Sequence, residues 1–380
     1  MNTNYPRTRR ALLAAALLGA AGTAMAQPAG EPITIGALLS TTGPLATVGI
    51  PERDGILLAQ KLVNQRGGVA GRRLDIVMED DASSPDVAVQ KANALVHGRK
   101  VRALLGASGI GNTVAVGAIT APLKLPQVAF TGIGPAVEKD RTCLMHLLPS
   151  QELNARALLE YATGSAKARR VAMLHDSGYG QVVFNALKAV APQYGVEIVG
   201  SEKFDIGATD VTTQAAKLRS QNPQAVFVVG VTPVPFRNVK QVKLGAPIIS
   251  ALGSSSYDVV RGMGDAADDI VFPEFVIAED PLPHQKEFVE AFRKEYGRLP
   301  KNYEAAGFDG VMALARAFEK AGATAGNEAV CSALRGPFSG VFGQYDFGAP
   351  DMTGLKLASY SYSRLDKGQF TRAAFKVEGR

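Results

Sequence analysis

The chain has 380 residues, with 41 Lys and Arg against 35 Asp and Glu and a formal net charge of +6. That length suits two domains of ordinary size, and the near-balanced charge, without a clustered basic stripe, excludes a nucleic-acid binder. Trp is absent and aromatics make up 7%, whereas Gly reaches 40 residues, a composition that suits closely packed α/β layers.

The first stretch reads as a signal peptide. Arg7, Arg9 and Arg10 precede an uncharged run over 11–24, and Ala24-Met25-Ala26 precedes Gln27; a basic start, an apolar centre and a small-x-small site are the three parts of an export signal. The run is too short and too rich in Ala and Gly for a bilayer-spanning helix of about 20 residues. Thr8-Arg9-Arg10-Ala11-Leu12-Leu13 also fits a twin-arginine signal, so the export route is Sec or twin-arginine. Cleavage after Ala26 leaves an exported chain with a charge of about +3. No Cys follows the cleavage site, so a lipid anchor is not expected.

Strand and helix patterns then alternate. Strands are expected over 33–40, 74–79, 102–106 and 128–131, interleaved with helices over 52–66, 85–97 and 112–122. The strands are continuous apolar runs, as expected where helices cover both faces of a sheet, and the alternation argues a parallel, doubly wound arrangement. A strand over 143–148 leads through Pro149-Ser150 into a second unit. Its strands fall at 171–175, 197–204, 225–231 and 248–252, and its helices at 152–163, 181–194, 211–221 and 235–244. Helices over 283–296, 302–321 and 328–334 have no sheet of their own and are expected to return to the first unit. Late strands over 345–347 and 357–365 are expected to add to the second. The fold class is therefore α/β: two doubly wound, Rossmann-like lobes with several chain crossings. The first lobe comprises 27–149 with 277–347, and the second 150–276 with 348–380. Ligands of open α/β sheets bind beyond the carboxyl ends of the strands, so the two sets of strand ends line one cleft that can close about a hinge.

Catalytic and metal chemistry find little support. His97, His146, His175 and His284 lack ligand spacing with each other or with Cys143 and Cys331, so no metal is expected. The two cysteines form a disulfide or stay as buried thiols; their separation in sequence decides neither. Gly106-Ala107-Ser108-Gly109-Ile110-Gly111 resembles the glycine-rich loop of short-chain dehydrogenases, but it follows the third strand and no Tyr-x-x-x-Lys occurs in the chain. It reads instead as exposed backbone N–H groups at a helix start, available to a carboxylate; no cofactor is expected. No Gly-x-Ser-x-Gly elbow is present. His175-Asp176 on a strand would point to opposite faces, a poor acid–base pair, and Asp80-Asp81 reads as a loop-bonding device.

Five strings in this order resemble the leucine/isoleucine/valine-binding proteins, type I periplasmic binding proteins of ABC importers. They begin with Ile35-Gly36-Ala37-Leu38-Leu39-Ser40-Thr41-Thr42-Gly43-Pro44 and continue with Asn64-Gln65-Arg66-Gly67-Gly68-Val69-Ala70-Gly71-Arg72-Arg73-Leu74. Glu79-Asp80-Asp81-Ala82-Ser83-Ser84-Pro85, His175-Asp176-Ser177-Gly178-Tyr179-Gly180 and Tyr303-Glu304-Ala305-Ala306-Gly307-Phe308-Asp309 follow. The resemblance covers essentially the whole mature chain. It implies a type I periplasmic binding fold with a multi-strand hinge and a monomer without catalysis. Such a protein works in the periplasm, capturing a small solute, whether a carboxylate, an amide or an amino-acid-like molecule, in the interlobe cleft for an inner-membrane ABC permease; a sensory module feeding a chemoreceptor or sensor kinase is the alternative on the same fold.

Position by position, the resemblance places ligand contacts at Ser108, Ile110 and Gly111, at Thr131, Ile133 and Gly134, at Tyr179, at Val231 and Thr232, and at Ser254. Amino-acid binders of the family hold the ammonium with an acidic side chain where this chain has Leu252-Gly253-Ser254-Ser255-Ser256. A serine cannot offset a buried ammonium as a carboxylate does. The expectation is therefore a carboxylate or amide with an uncharged tail lined by Ile110, Ile133, Val231 and Phe236. Glu274, Glu279 and Asp309 are the acids elsewhere in the sequence that would reverse it.

Overall fold

The computed structural model describes residues 1–2, 30–133 and 143–377. Apart from Met1 and Asn2 the signal-peptide segment lies outside these residues, and so does Gly134. β1 (Ile33–Leu39), β2 (Leu74–Asp80), β3 (Leu104–Gly106), β4 (Gln127–Ala129) and β5 (Leu144–His146) form a parallel sheet in the order β2-β1-β3-β4-β5. β6 (Arg170–Asp176), β7 (Glu197–Phe204), β8 (Ala225–Val229), β9 (Ile248–Ser250) and β10 (Val271–Glu274) repeat the pattern as β7-β6-β8-β9-β10. In each sheet the strand order reverses beside the first strand, which opens a crevice at its carboxyl end.

β11 (Pro337–Ser339) and β12 (Gln344–Asp346) pair only with each other, whereas β13 (Ser361–Asp366) and β14 (Gln369–Arg372) extend the second sheet antiparallel. The late strand expected over 345–347 therefore joins a separate hairpin, not the second sheet. Met352 O accepts from His146 N at 3.3 Å, and Thr353 O from Asp346 N at 2.9 Å, which holds the chain beside the first sheet until there.

The quoted strings earn their place by hydrogen bonding. Asn64 ends the helix Ala46–Gln65 and mimics a strand partner for Leu74: its Nδ2 donates to Leu74 O at 2.9 Å and its Oδ1 accepts from Leu74 N at 2.8 Å. Asp80 Oδ1 accepts from the N–H groups of Thr41, Thr42 and Ala82, and its Oδ2 from Thr42 Oγ1 at 2.6 Å. Partial burial pushes the Asp80 carboxyl up, but these bonds outweigh it and hold it below the ordinary value.

The helix Asn302–Ala321 packs along Ala46–Gln65. A Cβ on Gly55 would lie 1.9 Å from Glu304 O, and one on Gly307 would lie 2.2 Å from Glu52 O, so the two backbones touch through glycines. Cys143 and Cys331 form a disulfide with Cα atoms 5.4 Å apart, which fastens the helix Asn327–Leu334 to the start of β5. The two observations set the helices Asn302–Ala321 and Asn327–Leu334 against the elements of the first sheet.

The crossings between the sheets are tied by buried polar groups. Glu274 Oε1 accepts from Lys301 Nζ at 2.6 Å, Ser255 Oγ at 2.6 Å and Ser363 Oγ at 2.8 Å, while Oε2 meets Asn302 Nδ2. Asn302 Oδ1 accepts from Phe275 N and Val276 N, and Gln285 Nε2 donates to Phe275 O and Val341 O.

Candidate functional site

A cavity of 370 Å³ lies where the carboxyl ends of the two sheets face each other. From the first lobe come Ser108–Asn112 beyond β3 and Phe130–Gly132 beyond β4, with Leu45 and Val48 beside them. From the second come Ser177–Tyr179 beyond β6, Val231 beyond β8 and Leu252-Gly253 beyond β9. Gln151 and Asn154 line it at the crossing, and Tyr303 closes it from the helix Asn302–Ala321. Among the described residues, none that lines this cavity is Asp, Glu, Lys, Arg or His.

Two hydrogen bonds span the cleft. Thr47 Oγ1 donates to Val231 O at 3.1 Å, and Tyr303 Oη donates to Gly253 O at 3.2 Å. On the far side Gly253 N donates to Tyr179 Oη at 3.3 Å, so the turn after β9 is held by one tyrosine from each lobe. The lobes thus stand closed on the cavity.

The first-lobe wall is rich in donors. The helix Ile110–Thr120 starts at the cavity without a side-chain cap, and the first N–H groups of a helix have no partner within it. Asn112 is 3% exposed and its Nδ2 is buried without a hydrogen-bond partner. An orphaned buried amide donor costs about 1–3 kcal/mol. Thr131 adds a hydroxyl to the same wall.

The acids stand behind the walls. Ser108 Oγ donates to Glu52 Oε2 and accepts from Ser40 N at 3.1 Å. Asp176 Oδ1 accepts from Gly178 N at 2.9 Å and Gly180 N at 2.7 Å, forming the turn that carries Tyr179. Burial raises the Asp176 carboxyl above its ordinary value against the pull of these bonds. His175 stacks on Phe184 at 4.7 Å, and burial lowers its pKa, so the two neighbours serve separate structural ends.

Of the residues placed in the site from the sequence, Ser108, Ile110, Gly111, Thr131, Tyr179 and Val231 are brought together around the cavity. Ile133, Thr232 and Ser254 are not. Ile133 packs with Ala129 and Leu144. Thr232 Oγ1 is buried without a partner. Ser254 turns its hydroxyl onto Gly230 O at 2.5 Å, tying the ends of β8 and β9. Phe236, expected in the lining, is fully buried in the second lobe's core. The three acids elsewhere in the sequence do not line the cavity either: Glu274 is engaged at the hinge, Glu279 accepts from Tyr257 Oη at 2.9 Å, and Asp309 accepts from Val341 N and Phe342 N.

Sequence reasoning passed over Asn112, Tyr303 and Glu52 as single residues. Asn112 directly follows the Gly106–Gly111 loop and opens the helix expected over 112–122. Glu52 had a signal of its own, a carboxylate in the buried stripe Val48, Glu52, Ile56, Ala59, Val63.

Residues 32–360 match the family model described as periplasmic binding protein. The chain belongs to the periplasmic binding protein family. A Leu/Ile/Val-binding protein of Rhizobium johnstonii is 26% identical over 83% of this chain and 86% of its own length. A leucine-, isoleucine-, valine-, threonine- and alanine-binding protein of Pseudomonas aeruginosa is 26% identical over 88% of this chain and 90% of its own. Two solved structures share the fold. The branched-chain amino acid transporter substrate-binding protein LivJ of Streptococcus pneumoniae, in complex with isoleucine, aligns with a TM-score of 0.81 at 22% identity, over 90% of this chain and 100% of that one. An ABC-transporter solute-binding protein of Rhodopseudomonas palustris, in complex with 3,4-dihydroxybenzoic acid, aligns with a TM-score of 0.78 at 21% identity, over 91% and 98%.

As a periplasmic binding protein the chain has a substrate-binding role and is not an enzyme. The family works in the periplasm, and no helix among the described residues is long and apolar enough to cross a membrane.

Proposed function

We propose that this chain is the solute-binding component of an ABC importer that captures a small carboxylate or amide with an uncharged tail and presents it to an inner-membrane permease. The lobes proposed are 27–149 with 277–347 and 150–276 with 348–380; the bond from Asp346 N to Thr353 O supports placing the third crossing after Thr353. The observation that carries the ligand class is the uncapped start of the helix Ile110–Thr120 in a cavity whose described lining holds no charged side chain. Donors gathered at a helix N-terminus favour an anionic or carbonyl head. A buried ammonium left without a counter-charge costs several kcal/mol, which disfavours the zwitterions that the two curated relatives are named for. Ile110, Val231, Leu252 and the Tyr179 ring supply the apolar remainder.

The test is a thermal-shift screen followed by calorimetry with benzoate, 3,4-dihydroxybenzoate, benzamide, leucine and valine. Binding adds about 4 kcal/mol to stability at a thousandfold excess over Kd, so a true ligand raises Tm by several degrees. Acids or amides are expected to respond. Micromolar binding of leucine or valine, with no response to the acids and amides, overturns the ligand class. Absence of a neighbouring permease gene, with a receptor or sensor kinase in its place, overturns the importer role.

A further inference from the structure

Glu52 is fully buried, yet no cation is bonded to it among the described residues. Among the described residues its only hydrogen bond joins Oε2 to Ser108 Oγ, and Oε1 is buried without a partner. Ser108 is the cavity-lining residue of this pair. The charged groups packed against Glu52 are predominantly acidic. Asp81, beyond β2, takes the Ser40 hydroxyl at 2.6 Å. Glu304, from the crossing helix, is held by Arg298 Nη1 at 2.5 Å and by Lys301 N at 2.8 Å. Arg298 spends its other terminal nitrogen on Asp54 at 2.6 Å, Arg53 also bonds Asp54, and Lys301 is committed to Glu274. The phenol of Tyr303 is engaged with Gly253 O. Among the described residues no counter-ion is left for Glu52.

The two protonation states give the cavity different chemistry. With Glu52 ionised, the single Ser108 proton is spent on Oε2 and one lone pair takes the Ser40 N–H. Only the remaining lone pair then faces the cavity, which repels an acceptor. With a proton on Oε2, the carboxyl O–H donates to Ser108 Oγ, which also accepts from Ser40 N. The Ser108 proton is released and becomes a donor to the cavity. A proton on Oε1 would be a buried donor without an acceptor, so Oε2 is its place.

We propose that Glu52 is a specificity-determining residue acting through Ser108: carrying a proton, it turns the Ser108 hydroxyl into a donor for the solute's head. The proposal rests on the anionic- or carbonyl-head reading above. Burial raises the Glu52 carboxyl well above its ordinary value; the Ser108 bond opposes this, and Asp81 and Glu304 add to it. Ser108 and the N–H groups at the start of the helix Ile110–Thr120 then offer donors to the solute from one wall.

Two measurements test it. Infrared spectra of the ligand-free protein at about pH 7, wild type minus Glu52→Gln, should show the carbonyl band of a protonated carboxyl group; its absence overturns the proposal. If Glu52→Gln fails to fold, Ser108→Ala serves instead, because removing the hydrogen-bond acceptor should shift that same band, and an unshifted spectrum overturns it. The second is benzoate affinity as a function of pH, since the carboxyl of this probe stays ionised throughout. Wild-type affinity should fall about tenfold per pH unit above the point at which the band is lost, while Glu52→Gln, whose amide always donates to Ser108, should be flat. Equal slopes in both proteins overturn the proposal. Benzoate binding at no pH counts against the anionic-head reading instead, and the infrared band then decides the role of Glu52 alone.

Discussion

Tyr303→Phe isolates one bond of the closed state. The hydroxyl donates to Gly253 O at 3.2 Å across the cleft, whereas the ring, 5% exposed, keeps its packing in the variant. A neutral hydrogen bond contributes about 0.5–1.5 kcal/mol net. Because this one exists only when the lobes meet, its loss falls entirely on the equilibrium between open and closed forms. About 1 kcal/mol is roughly a fivefold shift towards open, and the apparent affinity drops by the same factor where closed protein is the minor free form. Thr47→Val removes the companion bond to Val231 O at 3.1 Å. The pair should lose about thirtyfold, since both act on one equilibrium. Calorimetry with a confirmed ligand gives the affinities, and solution scattering of the ligand-free protein gives the open fraction. An unchanged affinity and radius of gyration in Tyr303→Phe would refute the reasoning, and so would a matching loss of stability in the ligand-free protein.

Other outcomes follow from particular contacts. A Cβ on Gly253 would lie 2.5 Å from Tyr179 Cε1, so Gly253→Ala should displace that ring and weaken binding at least tenfold, about 1.4 kcal/mol, with little change in Tm; calorimetry beside a melting curve checks both. Lys301→Met leaves Glu274 buried without its cation and should cost about 3–5 kcal/mol in denaturant unfolding, with part recovered when Glu274→Leu is added. Burial raises the Asp309 carboxyl to about 7 against the bonds from Val341 N, Phe342 N and Tyr345 Oη. A carboxyl raised in the folded state contributes stability that is complete below its unfolded value and is lost as pH rises through its folded value. Unfolding free energy should therefore fall between about pH 4 and about pH 7, by up to about 1.4 kcal/mol per pH unit, and this contribution should level off above that; a rise over that range would contradict it.

Regular elements with a full periodic pattern were legible in the sequence. The helix expected over 302–321 is Asn302–Ala321, and the strand over 33–40 is Ile33–Leu39. Elements that break local rules were not. The first helix starts at Ala46, six residues before its expected start, because the chain continues helically through Pro51, a residue that normally interrupts a helix. β10 contains Pro273 within four residues, joins β9 only at Val271 and otherwise leans on β13; nothing local marks it as a strand. In the site, strand ends located the turns but not which way each hydroxyl points. Ser254 and Ser108 look alike in sequence. One spends its proton on Gly230 O, and the other stands between a buried acid and the cavity.

The most direct test of the account is a crystal structure grown with whichever acid or amide binds tightest in the screen. The solute should occupy the cavity between the lobes, its head against the N–H groups at 110–112, Ser108 and Thr131, and its tail against Tyr179 and Val231. Density for the solute anywhere else on the protein, with this cavity empty, would contradict it.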